Sequence, residues 1–211
     1  LYNVDGSMRK TAKSKLLDLF NLDPIAEKPR DHVSLVDMGL IWRLAIPTPD
    51  DRETRKRDGS EYRWSDYLDK ICNIILSRHV DAHLIILVND KYDIPFSIKD
   101  DERDRRAAKY QQIQNVFPKS ADPFPPAAEF NKLMVNSGNK VRLQTLLKER
   151  MKMQVCSLRT NVIYCEGETS TNLSTGIASQ DYIFRQPEAD TMLFSAYAKL
   201  RAENYIGAVV L

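Results

Sequence analysis

The residues Leu84 to Val88 (LIILV) stand in an unbroken apolar run between His83 and the polar pair Asn89-Asp90. A strand with one wet face alternates apolar and polar side chains, whereas a continuous run of this length suits a strand covered on both faces. Strands of that kind belong to parallel sheets, whose crossover connections lay helices over each side. This one segment therefore narrows the chain to an α/β architecture and predicts further short apolar strands separated by helices.

Candidates for both are present. Val33, Leu35 and Val36 form a short β-rich run ending in Asp37, NVIYCEG forms another from Asn161, and YIGAVVL a fourth over 205–211. Between them, Trp64, Tyr67, Leu68, Ile71, Ile74 and Ile75 recur at helical spacing, as do Val141, Leu143, Leu146, Leu147 and Met151. A third helix is predicted after Pro187, with acids in the first turn, where the helix dipole favours them. KYDIPFSIKDDERDRRAAKYQQIQ opens on a proline turn and continues as a charged helix. The polar stretch Pro47 to Ser60 breaks the pattern. PKSADPFPPAAEF, rich in proline, reads as a linker or surface loop, and ETSTNLSTGIASQD as an exposed, turn-rich segment. The resulting order is strand, helix, strand, helix, helix, strand, helix, strand. It predicts a doubly wound, mostly parallel sheet with helices on both faces.

At 211 residues the chain can build one generous core, and its 43% hydrophobic and 28% charged residues are ordinary for a globular domain. The expected division is an N-terminal helix and linker over 1–30, with Leu16, Leu17, Leu19 and Phe20 as its apolar set, followed by one α/β domain over 31–211. No apolar run is long enough to cross a bilayer, so no membrane partner is expected. Cys72, Cys156 and Cys165 are odd in number and lack a paired CxxC pattern, which predicts reduced thiols and an intracellular location, nucleus or cytoplasm.

In an open parallel sheet, ligands bind outside the carboxyl ends of the strands. Asp37 ends the first predicted strand, Asp90 ends the second, and Glu188 and Asp190 open the helix that follows the third. Taken singly, each acid could be a turn or cap residue. Taken together, carboxylates converging on one crevice repel one another unless a cation neutralises them. Hard divalent cations take oxygen ligands and keep waters for substrate phosphates, so the set points to Mg²⁺ or Mn²⁺ and to phosphodiester chemistry.

LIILVNDKYDIPFSIKDDERDRRAAKY resembles a segment of the flap-endonuclease-type (structure-specific 5′ nuclease), PIN-like superfamily. There an apolar strand ends in a metal-binding Asp and leads through a proline turn into a Lys/Arg-rich helix. QPEADTMLFSAYAKLRAENYIGAVVL resembles the next signature, in which Glu-Ala-acid opens a helix before a glycine and an apolar strand. LVDMGLIWRL is similar to the opening motif, a strand ending in Asp and running into a helix. The resemblance implies a PIN-like fold and a Mg²⁺- or Mn²⁺-dependent nuclease acting on DNA or RNA. It implies that Asp37, Asp90, Glu188 and Asp190 are the metal-binding and catalytic positions, and that Lys99, Arg103 and Arg106 hold the substrate phosphate. Asn89-Asp90-Lys91 stands where the family usually has Asp-Gly. The family also places two further aspartates just after the strand matched by YIGAVVL, where this sequence ends at Leu211. The expectation is therefore a divergent member lacking its C-terminal part, or alternatively an inactive module that binds nucleic acid or a protein partner.

Other constellations carry less. His79 and His83 are four apart, but one sits near a helix end and the other at a strand start, which breaks the zinc-binding geometry. Trp64 and Tyr67 share a helix face and read as core rather than base-stacking platforms. The arginine-rich stretch 52–63 reads either as a self-neutralising surface or as a phosphate track.

Overall fold

The computed structural model describes residues 32–92, 118–156, 160–179, 181–184, 188–203 and 209–210. The strands are β1 (His32–Asp37), β2 (Ala82–Asn89), β3 (Asn161–Glu166), β4 (Thr169–Asn172), β5 (Ile177–Ala178) and β6 (Val209–Val210). The helices are α1 (Met38–Leu44), α2 (Pro49–Arg57), α3 (Trp64–Arg78), α4 (Ala127–Leu133), α5 (Ser137–Val155) and α6 (Ala189–Ala202). The predicted N-terminal helix, the charged helix after Pro95 and residues 205–208 of the last strand lie outside the described residues.

All six strands form one sheet in the order β5-β4-β3-β2-β1-β6. The four segments expected to be parallel neighbours are so: β2 lies between β1 and β3, and β6 runs along the free side of β1. Alternation along the strands feeds two cores. Val36, Ile85, Leu87, Val162 and Tyr164 pack against α1, α3, α4 and α5, whereas Val33, Leu35, Ile86, Val88, Ile163 and Cys165 pack against α6, Tyr182 and Phe184. Helices thus cover both faces, which is why Leu84–Val88 needs no polar side chain.

The polar and proline-rich segments behave differently from expectation. Pro49–Arg57 is a helix rather than a break: Thr48 and Asp51 form a reciprocal capping box and Pro49 stands at its start, although the helix buries no residue. Residues 118–130 are not a linker. Phe124 is 3% exposed and stacks with Trp64 at 4.7 Å and Tyr67 at 4.7 Å between ring centroids, and Ala127–Leu133 adds a helix that buries Phe130. Arg52 secures this strap by donating to the carbonyls of Phe124 and Pro125. Trp64 and Tyr67 are core residues, as their helix face implied. The segment 169–178 forms an antiparallel hairpin that extends the sheet beyond β3, with Ser170 and Leu173 buried. The turn that leads into it from β3 requires glycine: Gly167 has φ of +61°, and an added Cβ would meet Lys91 Cδ at 2.9 Å.

Candidate site at the carboxyl edge of the sheet

The strand order reverses at β1, with β2 on one side and β6, the last of the parallel strands, on the other. The carboxyl edge beside such a reversal is where open α/β sheets place their ligands. Asp37 ends β1 there. It pairs in register with Val88 of β2, so Asp90 lies one alternation further along the neighbouring strand. Val33 and Leu35 on β1, like Ile86 and Val88 on β2, face α6. Continuing that alternation brings Asp37 and Asp90 to the same face of the same edge.

Each aspartate meets a helix N-terminus. Asp37 caps α1, its Oδ1 accepting from Gly39 N at 2.7 Å. Asp90 Oδ1 accepts from Ala189 N, the first residue of α6, at 2.8 Å. Both arrangements satisfy backbone donors that a helix start leaves without partners and place a negative charge at the positive end of the dipole. Asp90 Oδ2 also accepts from the Tyr92 hydroxyl at 3.3 Å, and the Asp90 carbonyl accepts from Gln144 Nε2 at 3.0 Å. Lys140, one turn before Gln144 on α5, holds its ammonium 4.3 Å from the centre of the Tyr92 ring.

Glu188 is the N-cap residue of α6, with extended backbone and 6% exposure. The bond from Ala189 to Asp90 therefore brings the second predicted acidic position beside the third, although the two are about a hundred residues apart in the chain. Asp190 falls in the first turn of α6, and its side chain lies outside the described residues, as do Lys99, Arg103 and Arg106 entirely. Among the described residues, no three His, Cys, Asp or Glu side chains are grouped closely enough to hold a metal ion.

The donor set fits a hard divalent cation in kind. A carboxylate offers about four lone-pair positions, so the cap bonds leave Asp37 and Asp90 acceptor capacity. Mg²⁺ commonly binds through one or two carboxylates and keeps the rest of its waters.

Sequence reading missed Tyr92 and Gln144. Gln144 did carry a signal: it is a polar residue, 4% exposed, amid the buried Leu143, Leu146 and Leu147 of α5. The arginine-rich stretch 52–63 is largely engaged in structure, with Arg52 on the 124–125 carbonyls, Arg55 paired to Asp66 and Lys56 to Glu53. Among the described residues, no helix is long and apolar enough to cross a membrane. Comparisons of the chain with protein-family models, with curated proteins and with solved structures found no match.

Proposed function

We propose that this chain is a PIN-like, metal-dependent phosphodiesterase that cleaves DNA or RNA at the carboxyl edge of β1 and β2. The observation that carries the reading is the 2.8 Å bond from Ala189 N to Asp90 Oδ1, which joins the end of β2 to the Glu188-Ala189-Asp190 helix start. Asp37 ends the adjoining strand at the same edge of the sheet, although, among the described residues, Asp37, Asp90 and Glu188 are not by themselves grouped closely enough to hold an ion. Asp37, Asp90, Glu188 and Asp190 would hold Mg²⁺ or Mn²⁺. Such an ion supplies an activated water and counter-charge for the attacking and leaving oxygens of a phosphodiester. The chain's own contribution is to fix the carboxylates by capping bonds, and through Lys99, Arg103 and Arg106 to hold the substrate backbone.

Metal binding to the folded state alone stabilises it by mass action. Millimolar Mn²⁺ is expected to raise the melting temperature of the wild type, and Asp90→Asn to remove most of that response while preserving the acceptor that caps α6. Binding to unrelated nucleic-acid sequences should fall steeply with salt, and Arg103→Ala with Arg106→Ala should weaken it about equally for all of them. Identical metal responses in wild type and Asp90→Asn, measured by thermal melting, would refute the metal site.

A second reading is a catalytically inactive module of the same fold that binds nucleic acid or a protein. It is favoured by the caps themselves, because holding the starts of α1 and α6 is reason enough for Asp37 and Asp90 to be acidic. Salt-sensitive nucleic-acid binding without any metal response would select it.

A further inference from the structure

We infer that Gln144 is a positioning residue for Asp90, steadying the aspartate from the α5 side of the sheet while α6 holds it from the other. β2 ends at Asn89, so Asp90 lies beyond the strand ladder and its carbonyl needs a partner from elsewhere. Gln144 Nε2 supplies it at 3.0 Å. The glutamine is 4% exposed, and its own carbonyl accepts from the buried Tyr164 hydroxyl at 3.4 Å, so the donor sits on well-packed backbone. On the opposite side of the sheet the Asp90 carboxylate meets Ala189 N. Residue 90 is thus gripped twice, its backbone by a helix on one face and its side chain by a helix on the other. Loss of the first grip frees the Asp90 backbone to turn, and the carboxylate turns with it. Supporting hydrogen bonds of this kind typically govern metal affinity by about 10- to 100-fold.

The inference rests on reading Asp90 as a metal-holding carboxylate, and two readouts on the full chain keep the two ideas apart. The first is hydrogen exchange at the Ala189 amide, which reports the Asp90 cap without any metal. The second is Mn²⁺ affinity from titrated thermal shifts. Gln144→Met keeps the bulk and removes the donor. It is expected to speed Ala189 exchange about tenfold or more relative to the β1–β2 ladder amides, and to weaken Mn²⁺ binding by about tenfold or more. Gln144→Leu, also uncharged and without a donor, should shift both in the same direction and serves if the methionine variant does not fold. Unchanged Ala189 exchange in the folded variant overturns the positioning role whatever the metal does. Faster exchange with unchanged Mn²⁺ affinity, in a wild type that binds the ion, overturns the link to the metal and leaves Gln144 a support of the α6 cap alone. Absence of Mn²⁺ binding by the wild type refutes the metal reading, and faster Ala189 exchange then still establishes that Gln144 positions Asp90.

Discussion

Asn89 stands next to Asp90 but on the opposite face of the sheet, 1% exposed, with neither amide atom hydrogen-bonded among the described residues. A buried polar group left unmet costs about 1–3 kcal/mol. Asn89→Leu is therefore expected to raise stability in a denaturant titration by roughly that amount. A loss instead would reveal an internal water on the amide. The thiols differ just as sharply. Burial pushes Cys72 and Cys165 up to about 12, while Cys156 is exposed. A maleimide at neutral pH should label one thiol of the native protein, at Cys156, and all three after unfolding; rapid labelling of Cys72 or Cys165 would contradict their burial. The acids teach a further lesson at this scale. Mutual repulsion alone would make Asp90→Asn stabilising without metal, but the cap on Ala189 opposes that gain, because an ionised acceptor suits a helix start better than a neutral one.

What was legible in the sequence, and what was not, divides by element. β1, β2, β3, α3 and α5 announced themselves because buried faces impose a period on the residues that line them. α2 has no buried face, so its only signals were Thr48, Pro49 and Asp51, a capping pattern set inside a run of charges. The hairpin β4–β5 was missed because Thr, Ser and Asn at a sheet edge carry little apolar alternation, and the one glycine of its turn is Gly176, at φ of +72°. The strap around Phe124 was hidden by its prolines. Its importance can be measured: Phe124→Ala should destabilise the fold by about 3–5 kcal/mol, since it empties the centre of a cluster containing Trp64, Tyr67 and Phe130. A cost under 1 kcal/mol would return the segment to the status of a surface loop. The candidate site shows the same division. Strand ends located Asp37 and Asp90, whereas the bonds from Ala189 and Gln144 reach Asp90 across 99 and 54 residues, with no periodic relation in sequence.

Across the whole molecule, two helix-covered faces and one carboxyl edge follow from the strand order. The α3 and α5 crossovers lie on one side, and α6 lies on the other before the chain reaches β6. Buttressing between layers is polar as well as apolar: Arg150 grips Asp69 through two hydrogen bonds, tying α5 to α3, and Lys148 bonds Glu166, tying α5 to β3. The pairing of Val33 with Val209 has a consequence in time rather than in space. A newly made chain holds β1 almost from its first described residue, yet the strand that covers its outer edge is the last of the six described strands to be made. Until then β1 presents a row of unsatisfied amides and carbonyls to any other extended chain. Closing so long a loop is also entropically late in folding. Pulse-labelling during refolding should therefore find the β1 amides that face β6 protected after those that face β2. Crowded, unfinished chains would be most vulnerable to mispairing in that interval, and a chaperone would find its target at the first strand rather than the last.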